Sequence, residues 1–542
     1  MMATSAYLRV ANQPPPLENY DLFTENVPLV EALRREGADG REEECAAFGR
    51  LCGGEPLELG RLANEHPPVL RAFDRFGERI DEVEFHPAWH ELLRLGVEHG
   101  LHAAAWTETK PYPHVARATR FMTLAYAEAG VGCPLSMTYS VVPAMRSDRS
   151  LADQWEPRLT ERVYDPGLRP PAKKAGVLAG MALTERQGGS DVRANETQAK
   201  PLEDGGYALT GQKWFCSAPM CDVFLVLAYA PGGLTCFVLP RVLTDGRRNG
   251  LRIERLKDKL GNHSNASAEI ELQDAWAARL GEEGRGVATI IEMVAHTRLD
   301  CVLGSTALMR RAVAEATHHA AYRIAFGRLL GEQPLHQNVL ADLCLDSEAA
   351  TATALRLARS VDEGDRPFRR LATAVAKYWI CKATPPLVAE ALECIGGNGY
   401  VEESPLPRLY RESPLNSLWE GAGNVIALDL LRAAAKEPES VDALLAEIAL
   451  AADADAHLDA AAARLERELA DDGELDYRAR RVVELAALSL QGSLLVRHAP
   501  PEVADAFCAT RLGGKGGGAY GTLPLGVDCA SIAERHRPRL DR

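Results

Sequence analysis

One short stretch of the sequence combines a carboxylate with an aromatic neighbour and small side chains. It runs from Asn416 to Asn424 and places Glu420 between Trp419 and Gly421, just before an apolar helical pattern. Such a carboxylate can lose water on its aromatic side, which raises its pKa toward the range in which a general base works. Alternatively, it interacts with the positive end of a helix dipole, which lowers its pKa. The stretch alone leaves both interpretations open.

Four further stretches have residues that suit a phosphate-bearing or planar ligand. Met181–Asp191 contains Thr184 and then Gly-Gly-Ser, a run that lets a phosphate or ring approach the backbone. Taken alone, this stretch is explained better by a tight loop. Lys213–Ser217 offers an aromatic face and a hydroxyl to a planar cofactor, or packs within a β domain. Arg323–Gly327 suits a pyrophosphate or only the helix dipole. Ile395–Tyr400 is again glycine-rich, and the end of a helix also explains it.

Composition narrows the class of protein. The chain has 542 residues, 46% of them hydrophobic, and a net charge of −15, which gives no overall attraction to phosphate backbones or anionic lipid. Its twelve cysteines include no C-x-x-C pair, which indicates reduced thiols. We find no apolar run of about 18 residues. The sequence therefore predicts a soluble, cytoplasmic protein without membrane contact.

The hydrophobic patterns predict an α+β protein whose segments run in the order α, β, α. Residues 1–178 begin with an extended, Pro-rich arm at Asn12–Pro16 and continue with amphipathic helices. Residues 179–278 contain short runs of β-forming residues between glycine-rich turns, which predict an antiparallel β-barrel or sandwich. Residues 279–437 are helical again, and 438–542 form an extra helical segment.

Two other motifs suggest sites that we interpret as structural. His86 and His90 have the spacing of metal ligands but lack the internal glutamate of a zincin, so we predict no metal site. Gly513–Gly518 resembles a phosphate loop but has neither a preceding strand nor the expected Lys-Ser or Lys-Thr ending, and a turn explains it better.

Taken together and in this order, the five ligand-like stretches resemble the acyl-CoA dehydrogenase family of flavoproteins over residues 100 to 435. Sequence segments outside that core resemble the AidB-type branch of the family, which comprises flavoproteins of the adaptive response to DNA alkylation. These sequence segments are Asn12–Asn19, Glu58–Asn64, Phe85–His90, Leu256–Asn262 and the extra C-terminal segment. The resemblance implies an N-terminal helical domain, a central β-domain and a C-terminal four-helix bundle, with FAD held by the last two and a neighbouring subunit.

The resemblance also assigns cofactor-binding residues. The set comprises Met181, Leu183, Thr184, Gly189, Ser190, Phe215, Cys216, Ser217, Arg323, Phe326, Gly396, Gly397, Ala422, Gly423 and Asn424. Phe215 stands where the family usually has tryptophan, and Ser217 takes the place of the threonine beside flavin N5. Arg323, Phe326, Gly396 and Gly397 are expected to reach the ADP half across a dimer. Asn424 and Pro334 replace glutamines of the family, which puts those two contacts in doubt.

The resemblance makes Glu420 the catalytic base for an acyl-CoA substrate. It implies removal of the α-proton by Glu420 while the β-hydride leaves toward flavin N5, with the Glu420 N–H and the ribityl hydroxyl stabilising the enolate. Some relatives have the base on an earlier helix, but the corresponding run here, Ala295–Arg298, has no carboxylate. A homo-oligomer, a dimer of dimers, is also implied. The acyl chain and the electron acceptor are left open.

The alternative function is a DNA-binding flavoprotein that protects DNA and has weak or vestigial dehydrogenase activity. Residues 436–542 have 13 Lys and Arg against 19 Asp and Glu, so the extra segment is not broadly basic. Only its end is basic. The cations there are Arg511, Lys515, Arg535, Arg537, Arg539 and Arg542. Such a tail can contact a few phosphates, although charged tails are usually only solvated.

Overall fold

The computed structural model describes residues 11–471 and 473–540. Contacts between Cα atoms divide the chain into two compact units. The first, which we call the barrel unit, comprises Glu55–Cys301 and Leu418–Val425. The second, the helical unit, comprises the described residues up to Gly54, Val302–Ser417 and those from Ile426 onward. The domain boundaries predicted after residues 178, 278 and 437 stay predictions.

The elements follow the predicted order of helices, strands and helices. The helices are α1 (Val27–Leu33), α2 (Glu42–Cys52), α3 (Glu55–Glu65), α4 (Pro87–Glu98), α5 (Ala104–Thr107), α6 (Pro113–Ala127), α7 (Gly132–Met145), α8 (Arg149–Leu159), α9 (Gly286–Tyr322), α10 (Pro334–Asp362), α11 (Arg366–Ile395), α12 (Gly397–Tyr400), α13 (Pro405–Glu412), α14 (Leu415–Leu418), α15 (Gly423–Lys436), α16 (Pro438–Ala449), α17 (Ala456–Ala470), α18 (Leu475–His498), α19 (Pro501–Phe507) and α20 (Cys529–His536). The strands are β1 (Val69–Phe73), β2 (Arg79–Glu84), β3 (Ala179–Ala182), β4 (Gln198–Pro201), β5 (Tyr207–Ser217), β6 (Val223–Ala230), β7 (Gly233–Pro240), β8 (Leu251–Leu256), β9 (Ser267–Leu280), β10 (Ile324–Ala325) and β11 (Arg328–Leu329). Within the described ranges, no helix has both the length and the apolar character needed to cross a bilayer.

Strands β3 to β9 form one sheet that closes on itself. β6, β4, β5, β9 and β7 pair in a ring, while β3 is attached to β6 and β8 to β9. Buried apolar side chains such as Leu209, Phe224 and Phe237 form its core. The predicted antiparallel sheet is wrong at two places, because β3 and β4 each pair with β6 in parallel. Short connections predict hairpins between consecutive strands, and these strands are not consecutive.

A β-hairpin lies within the N-terminal region that the sequence predicts to be mostly helical. β1 and β2 pair in antiparallel register, with Phe73 opposite Arg79 across a turn. Gly77 in this turn has φ 87, a left-handed conformation that glycine adopts without steric cost. Exposed and partly buried residues alternate along β1, as in a strand with one face toward solvent. Two short strands of this kind are easily missed among helices.

The two histidines with metal-ligand spacing each make one hydrogen-bond contact to a neighbouring element. His86 caps the N-terminus of α4, where its Nδ1 accepts a hydrogen bond from the Ala88 N–H at 3.2 Å. His90 Nδ1 lies 2.6 Å from the hydroxyl oxygen of Tyr164. The His86 ring therefore fixes the start of α4, and the His90 ring fixes the packing of α4 against Tyr164.

Two long helices form the centre of the helical unit. α10 begins with Pro334, a residue suited to the first turn of a helix. The Asp365 side chain caps α11 by accepting a hydrogen bond from the Phe368 N–H at 3.2 Å, and Gly396, with φ 70, ends that helix. α16 and α18 pack against α11, and α18 and α20 pack against α10. The extra C-terminal helices thus extend this compact unit.

The basic end of the chain is held by carboxylates of the helical unit. Arg511 donates hydrogen bonds to Asp342 at 2.5 Å and to Asp346 at 2.9 Å. Arg535 forms an ion pair with Glu348 at 2.9 Å. Two cations of the basic end are therefore neutralised by carboxylates of the same chain. Arg542 lies outside the described residues.

Candidate flavin site and general base

Glu420 lies in a strained turn between two helices. Its φ is 56 and that of Gly421 is 111, so two successive residues have left-handed backbone. For a residue other than glycine this conformation costs about 1 to 2 kcal/mol and persists only when the surroundings enforce it. Arg298 contributes, because its Nε donates a hydrogen bond to the Glu420 carbonyl oxygen at 3.1 Å. α15 begins only at Gly423, so Glu420 precedes the helix and is not part of its first turn.

Arg298→Gln should therefore slow the reaction for which the sequence predicts Glu420 as the base, while leaving that side chain in place. The variant loses the hydrogen bond that orients the Glu420 carbonyl, and we expect the rate of flavin reduction at saturating acyl-CoA to fall about tenfold. Rapid-mixing absorbance measurements give this rate. Arg298→Lys, which keeps the charge, should recover part of the loss. Wild-type rates in Arg298→Gln would show that the turn is held without this contact.

The neighbours of Glu420 connect it to the barrel core. Trp419 packs against that core. Burial raises the pKa of the Cys133 thiol to about 12; the Glu420 carboxylate adds to this rise, whereas hydrogen bonds from Asn265 and Ser217 oppose it. Cys133 therefore lies close to both Glu420 and Ser217. The structure brings the predicted base and the residue predicted beside flavin N5 to one small region.

The loop that follows β3 is joined to β5. The Trp214 N–H donates a hydrogen bond to the Thr184 carbonyl oxygen at 2.8 Å. Asn195 holds the preceding residue, because its Nδ2 donates to the Leu183 carbonyl at 2.9 Å. Two of the predicted cofactor-binding stretches, Met181–Ser190 and Phe215–Ser217, are therefore neighbours in space.

A buried ion pair fixes this junction, and the sequence analysis did not predict it. Lys213 Nζ and Glu185 Oε1 are 2.6 Å apart, and neither side chain is more than 1% exposed. The ammonium also donates to the Leu227 carbonyl at 2.7 Å, and the carboxylate accepts from the Thr197 hydroxyl at 2.5 Å. Both charged residues stood within the predicted stretches.

The predicted residues of the barrel unit differ in exposure. Phe215 is 49% exposed and Ser217 is partly buried, whereas the Cys216 side chain is completely buried in the barrel core. Cys216 can therefore offer a ligand only its backbone. A Cβ added to Gly189 would meet nothing closer than the Thr184 methyl at 3.7 Å, so this glycine leaves open space. Met181, Leu183, Thr184 and Ala422 are partly buried, Gly423 is buried, and Gly189, Ser190 and Asn424 are exposed.

The residues predicted to hold the ADP half belong to the helical unit. Arg323 follows the last residue of α9, and Phe326, with φ 53, and Gly327, with φ 79, form the two-residue turn between β10 and β11. Positive φ at both turn residues is typical of a tight hairpin. The Phe326 side chain is 98% exposed. A Cβ added to Gly396 or to Gly397 would meet no atom within 4 Å.

These properties fit FAD. Among residues 11–471 and 473–540, no carboxylate lies within ion-pair distance of Arg323, so its charge is available to a pyrophosphate. Open space beside Gly396 and Gly397 allows close approach of a ligand. The exposed Phe215 and Phe326 rings offer apolar faces to planar groups.

Comparison with known proteins decides the family. The chain matches the Adaptive response protein AidB N-terminal domain over residues 12–166, the acyl-CoA dehydrogenase middle domain over 180–275 and the acyl-CoA dehydrogenase C-terminal domain over 284–435. It is 46% identical over 516 residues to AidB of Escherichia coli (strain K12), assigned as an acyl-CoA dehydrogenase, covering 94% of this chain and 95% of that protein. The chain belongs to the acyl-CoA dehydrogenase family. Within that family it is of the AidB type.

Relatives and solved structures of the family agree with the fold. Acyl-CoA dehydrogenase family member 11 of Caenorhabditis elegans is 33% identical over 72% of this chain and 66% of its own length. The crystal structure of Caenorhabditis elegans ACDH-11 in complex with C11-CoA has a TM-score of 0.83 and 27% identity, covering 100% of this chain and 96% of that one. The Bd2924 apo-form has a TM-score of 0.81 and 28% identity, covering 93% and 100%. The predicted acyl-CoA dehydrogenase fold, with its extra C-terminal helices, is confirmed.

Membership of this family settles the general activity. The protein is an acyl-CoA dehydrogenase-like, FAD-dependent oxidoreductase. The DNA-binding alternative gains no support from these comparisons. The paired arginines at the C-terminal end also speak against it, because phosphates would have to compete with carboxylates already in place.

Proposed function

We propose that this protein oxidises an acyl-CoA to the 2-enoyl-CoA and that Glu420 is the base. The observation that carries the proposal is the position of Glu420, in a left-handed turn held by Arg298 and next to Trp419, which packs against the barrel core. The similarity to AidB of Escherichia coli supports the class of substrate, as does the C11-CoA that the Caenorhabditis elegans structure contains.

The reaction removes two hydrogens from neighbouring carbons. Glu420 takes the α-proton of the thioester, and the electron pair of that bond becomes part of the new double bond between Cα and Cβ. FAD, when bound, accepts the hydride from Cβ. The left-handed backbone of Glu420 and the hydrogen bond that Arg298 donates to its carbonyl oxygen fix the backbone from which the carboxylate and the peptide N–H project. Such preorganisation favours proton removal, because little reordering is needed when charge develops on the thioester oxygen.

The cofactor-binding residues form two groups in this proposal. Backbone and side chains of Met181–Ser190 and Phe215–Ser217 hold the flavin, with Thr184, Ser190 and Ser217 as the polar contacts. In the helical unit of a neighbouring subunit, Arg323 contributes charge to the pyrophosphate and Phe326, Gly396 and Gly397 make room for the adenosine. Ala422, Gly423 and Asn424 complete the set. The hydrogen bond from Trp214 to Thr184 supports the first group, and the absence of a carboxylate beside Arg323 among the described residues supports the second.

The assembly and the cellular role are further parts of the proposal. A homotetramer, built as a dimer of dimers, is supported by Phe326, because a fully exposed phenylalanine at a hairpin tip suits a contact with another subunit. A link to the response to DNA alkylation is supported by the likeness to AidB of Escherichia coli and by the N-terminal domain match. Twelve cysteines without any C-x-x-C pair suit a location in the cytoplasm.

An anaerobic titration tests the proposal. The purified protein should show a flavin spectrum, and saturated acyl-CoAs should bleach it in proportion to the enoyl-CoA formed. A panel of straight and branched chains identifies the preferred substrate, and the corresponding 2-enoyl-CoAs, already oxidised, act as matched controls that must leave the flavin oxidised. A protein that binds FAD but is bleached by no acyl-CoA in the panel would contradict the proposed reaction.

A further inference from the structure

The N-terminal arm is bonded to the residue pair Arg323 and Ile324. Asn12 Oδ1 accepts a hydrogen bond from the Ile324 N–H at 2.7 Å, and Asn12 Nδ2 donates to the Ile324 carbonyl at 2.8 Å. The side-chain amide thus pairs with both backbone groups of one residue, as a neighbouring strand would. In addition, Arg323 Nη1 donates to the Asn12 carbonyl at 2.7 Å.

Two further contacts hold the arm along the helical unit. Asn398 Nδ2, in α12, donates a hydrogen bond to the Gln13 side-chain oxygen at 3.2 Å. His318 Nε2, in the last turn but one of α9, lies 2.8 Å from the Pro15 carbonyl oxygen. The prolines keep this part of the chain extended, so consecutive residues can reach the end of α9 and the start of α12. The Pro-rich arm predicted at Asn12–Pro16 therefore lies along the helical unit.

The contacted segments carry the residues proposed for the ADP half of FAD. The hairpin of β10 and β11 has only two residues in each strand, and such a ribbon is not stable without support. Asn12 supplies that support, because it bonds both polar groups of the first residue of β10. Gln13 in turn contacts the short helix that follows Gly396. The arm therefore touches both segments that the proposed site requires.

The guanidinium of Arg323 is oriented by the same contact. One of its terminal nitrogens is engaged by Asn12, while Nε and the other terminal nitrogen make no hydrogen bond to any other residue among 11–471 and 473–540. A guanidinium held at one corner loses less freedom when it binds a phosphate oxygen with the remaining donors.

We propose that the arm braces the ADP-binding segments and that Asn12 is a positioning residue for Arg323 and for the hairpin that presents Phe326. This inference rests on the proposed placement of the ADP half at Arg323. Asn12 acts through these residues and makes no contact with the cofactor itself. The brace favours FAD over a flavin without the adenylate half, because it supports only that half.

Flavin titrations of the full-length apoprotein test the brace. Asn12→Ala should raise the FAD dissociation constant about tenfold, because it removes two hydrogen bonds from a segment that must be ordered for binding. The dissociation constant for FMN, which lacks the adenylate half, should stay unchanged. Gln154→Ala removes an exposed amide from α8 and serves as the matched control, with both constants equal to those of the wild type. Size-exclusion elution should be the same for all three proteins.

The outcomes distinguish a failure of the bracing role of Asn12 from a failure of the proposed ADP site at Arg323. If Arg323→Ala leaves FAD affinity unchanged, the ADP half is not at Arg323. The bracing role proposed for Asn12 is then contradicted as well. If Arg323→Ala weakens FAD while Asn12→Ala does not, the placement stands and the brace is overturned. Equal weakening of FAD and FMN in Asn12→Ala, or a changed elution volume, would show a general structural role and overturn it as well. In the double variant Asn12→Ala/Arg323→Ala, the brace predicts a loss smaller than the product of the two single losses.

Discussion

The Glu420→Gln variant should retain FAD and lose its reduction by acyl-CoA. Glutamine has nearly the shape of glutamate but cannot accept the α-proton as a carboxylate does. Removal of a general base costs about 10²- to 10⁴-fold in rate, and we expect the upper part of this range because no carboxylate stands in the run Ala295–Arg298 to replace it. Anaerobic rapid mixing with the best substrate, followed by flavin absorbance, measures the rate directly.

A control variant at an exposed carboxylate distinguishes the loss of the base from the mere loss of one negative charge. Glu403→Gln makes the same chemical change at an exposed position seventeen residues earlier, and its flavin should be reduced at the wild-type rate. The dissociation constant for FAD should be the same in both variants. Fast bleaching in Glu420→Gln would remove this residue from the proton transfer and leave the substrate and cofactor assignments to be tested separately.

Lys213→Met should destabilise the protein more than any other single substitution proposed for it. It leaves the Glu185 carboxylate buried without its cation, and breaking a buried pair in this way costs about 3 to 5 kcal/mol of the free energy of unfolding. Burial lowers the pKa of Lys213. For Glu185, burial acts to raise the pKa, but hydrogen bonds from Lys213, Thr197 and the Glu196 N–H outweigh it and leave the pKa below its usual value. Denaturant unfolding followed by circular dichroism measures the loss.

Two companion variants make the stability test specific. Lys200→Met removes an exposed lysine from β4 and should change the free energy of unfolding by less than about 1 kcal/mol. The double variant Glu185→Gln/Lys213→Met removes both charges and should recover much of the loss, because no charge is left unpaired. Equal stability of Lys213→Met and Lys200→Met would show that the pair does not stabilise the junction between the loop after β3 and strand β5.

Local sequence signals predicted the elements and motifs well. The apolar pattern after Asn424 lies in α15, and the β-rich runs of 179–278 became the strands of the barrel. Periodicity and glycine-rich turns are properties of neighbouring residues, so they can be identified without knowing the fold. The small residues around Glu420 likewise marked a real backbone feature, since Gly421 continues the left-handed turn.

Contacts between distant residues were the part that the sequence did not reveal. The parallel pairing of β3 and β4 with β6 depends on which strands meet in space, and no local pattern specifies it. The ion pair of Glu185 with Lys213 joins residues 28 positions apart. The bonds from Asn12 to Ile324 span 312 positions. A charge or amide in such a place looks like a solvated surface residue until the fold is known.

A kinetic isotope effect tests the central claim most directly. Saturating acyl-CoA deuterated at Cα is mixed anaerobically with the oxidised wild-type protein, and its rate of flavin reduction is compared with that of the undeuterated substrate. If Glu420 removes the α-proton during flavin reduction, the deuterated substrate should react severalfold more slowly, and the residual reaction of Glu420→Gln should be slower still. Equal rates for the two substrates, in a protein whose flavin is nevertheless reduced, would contradict proton abstraction at Cα as the step this site performs.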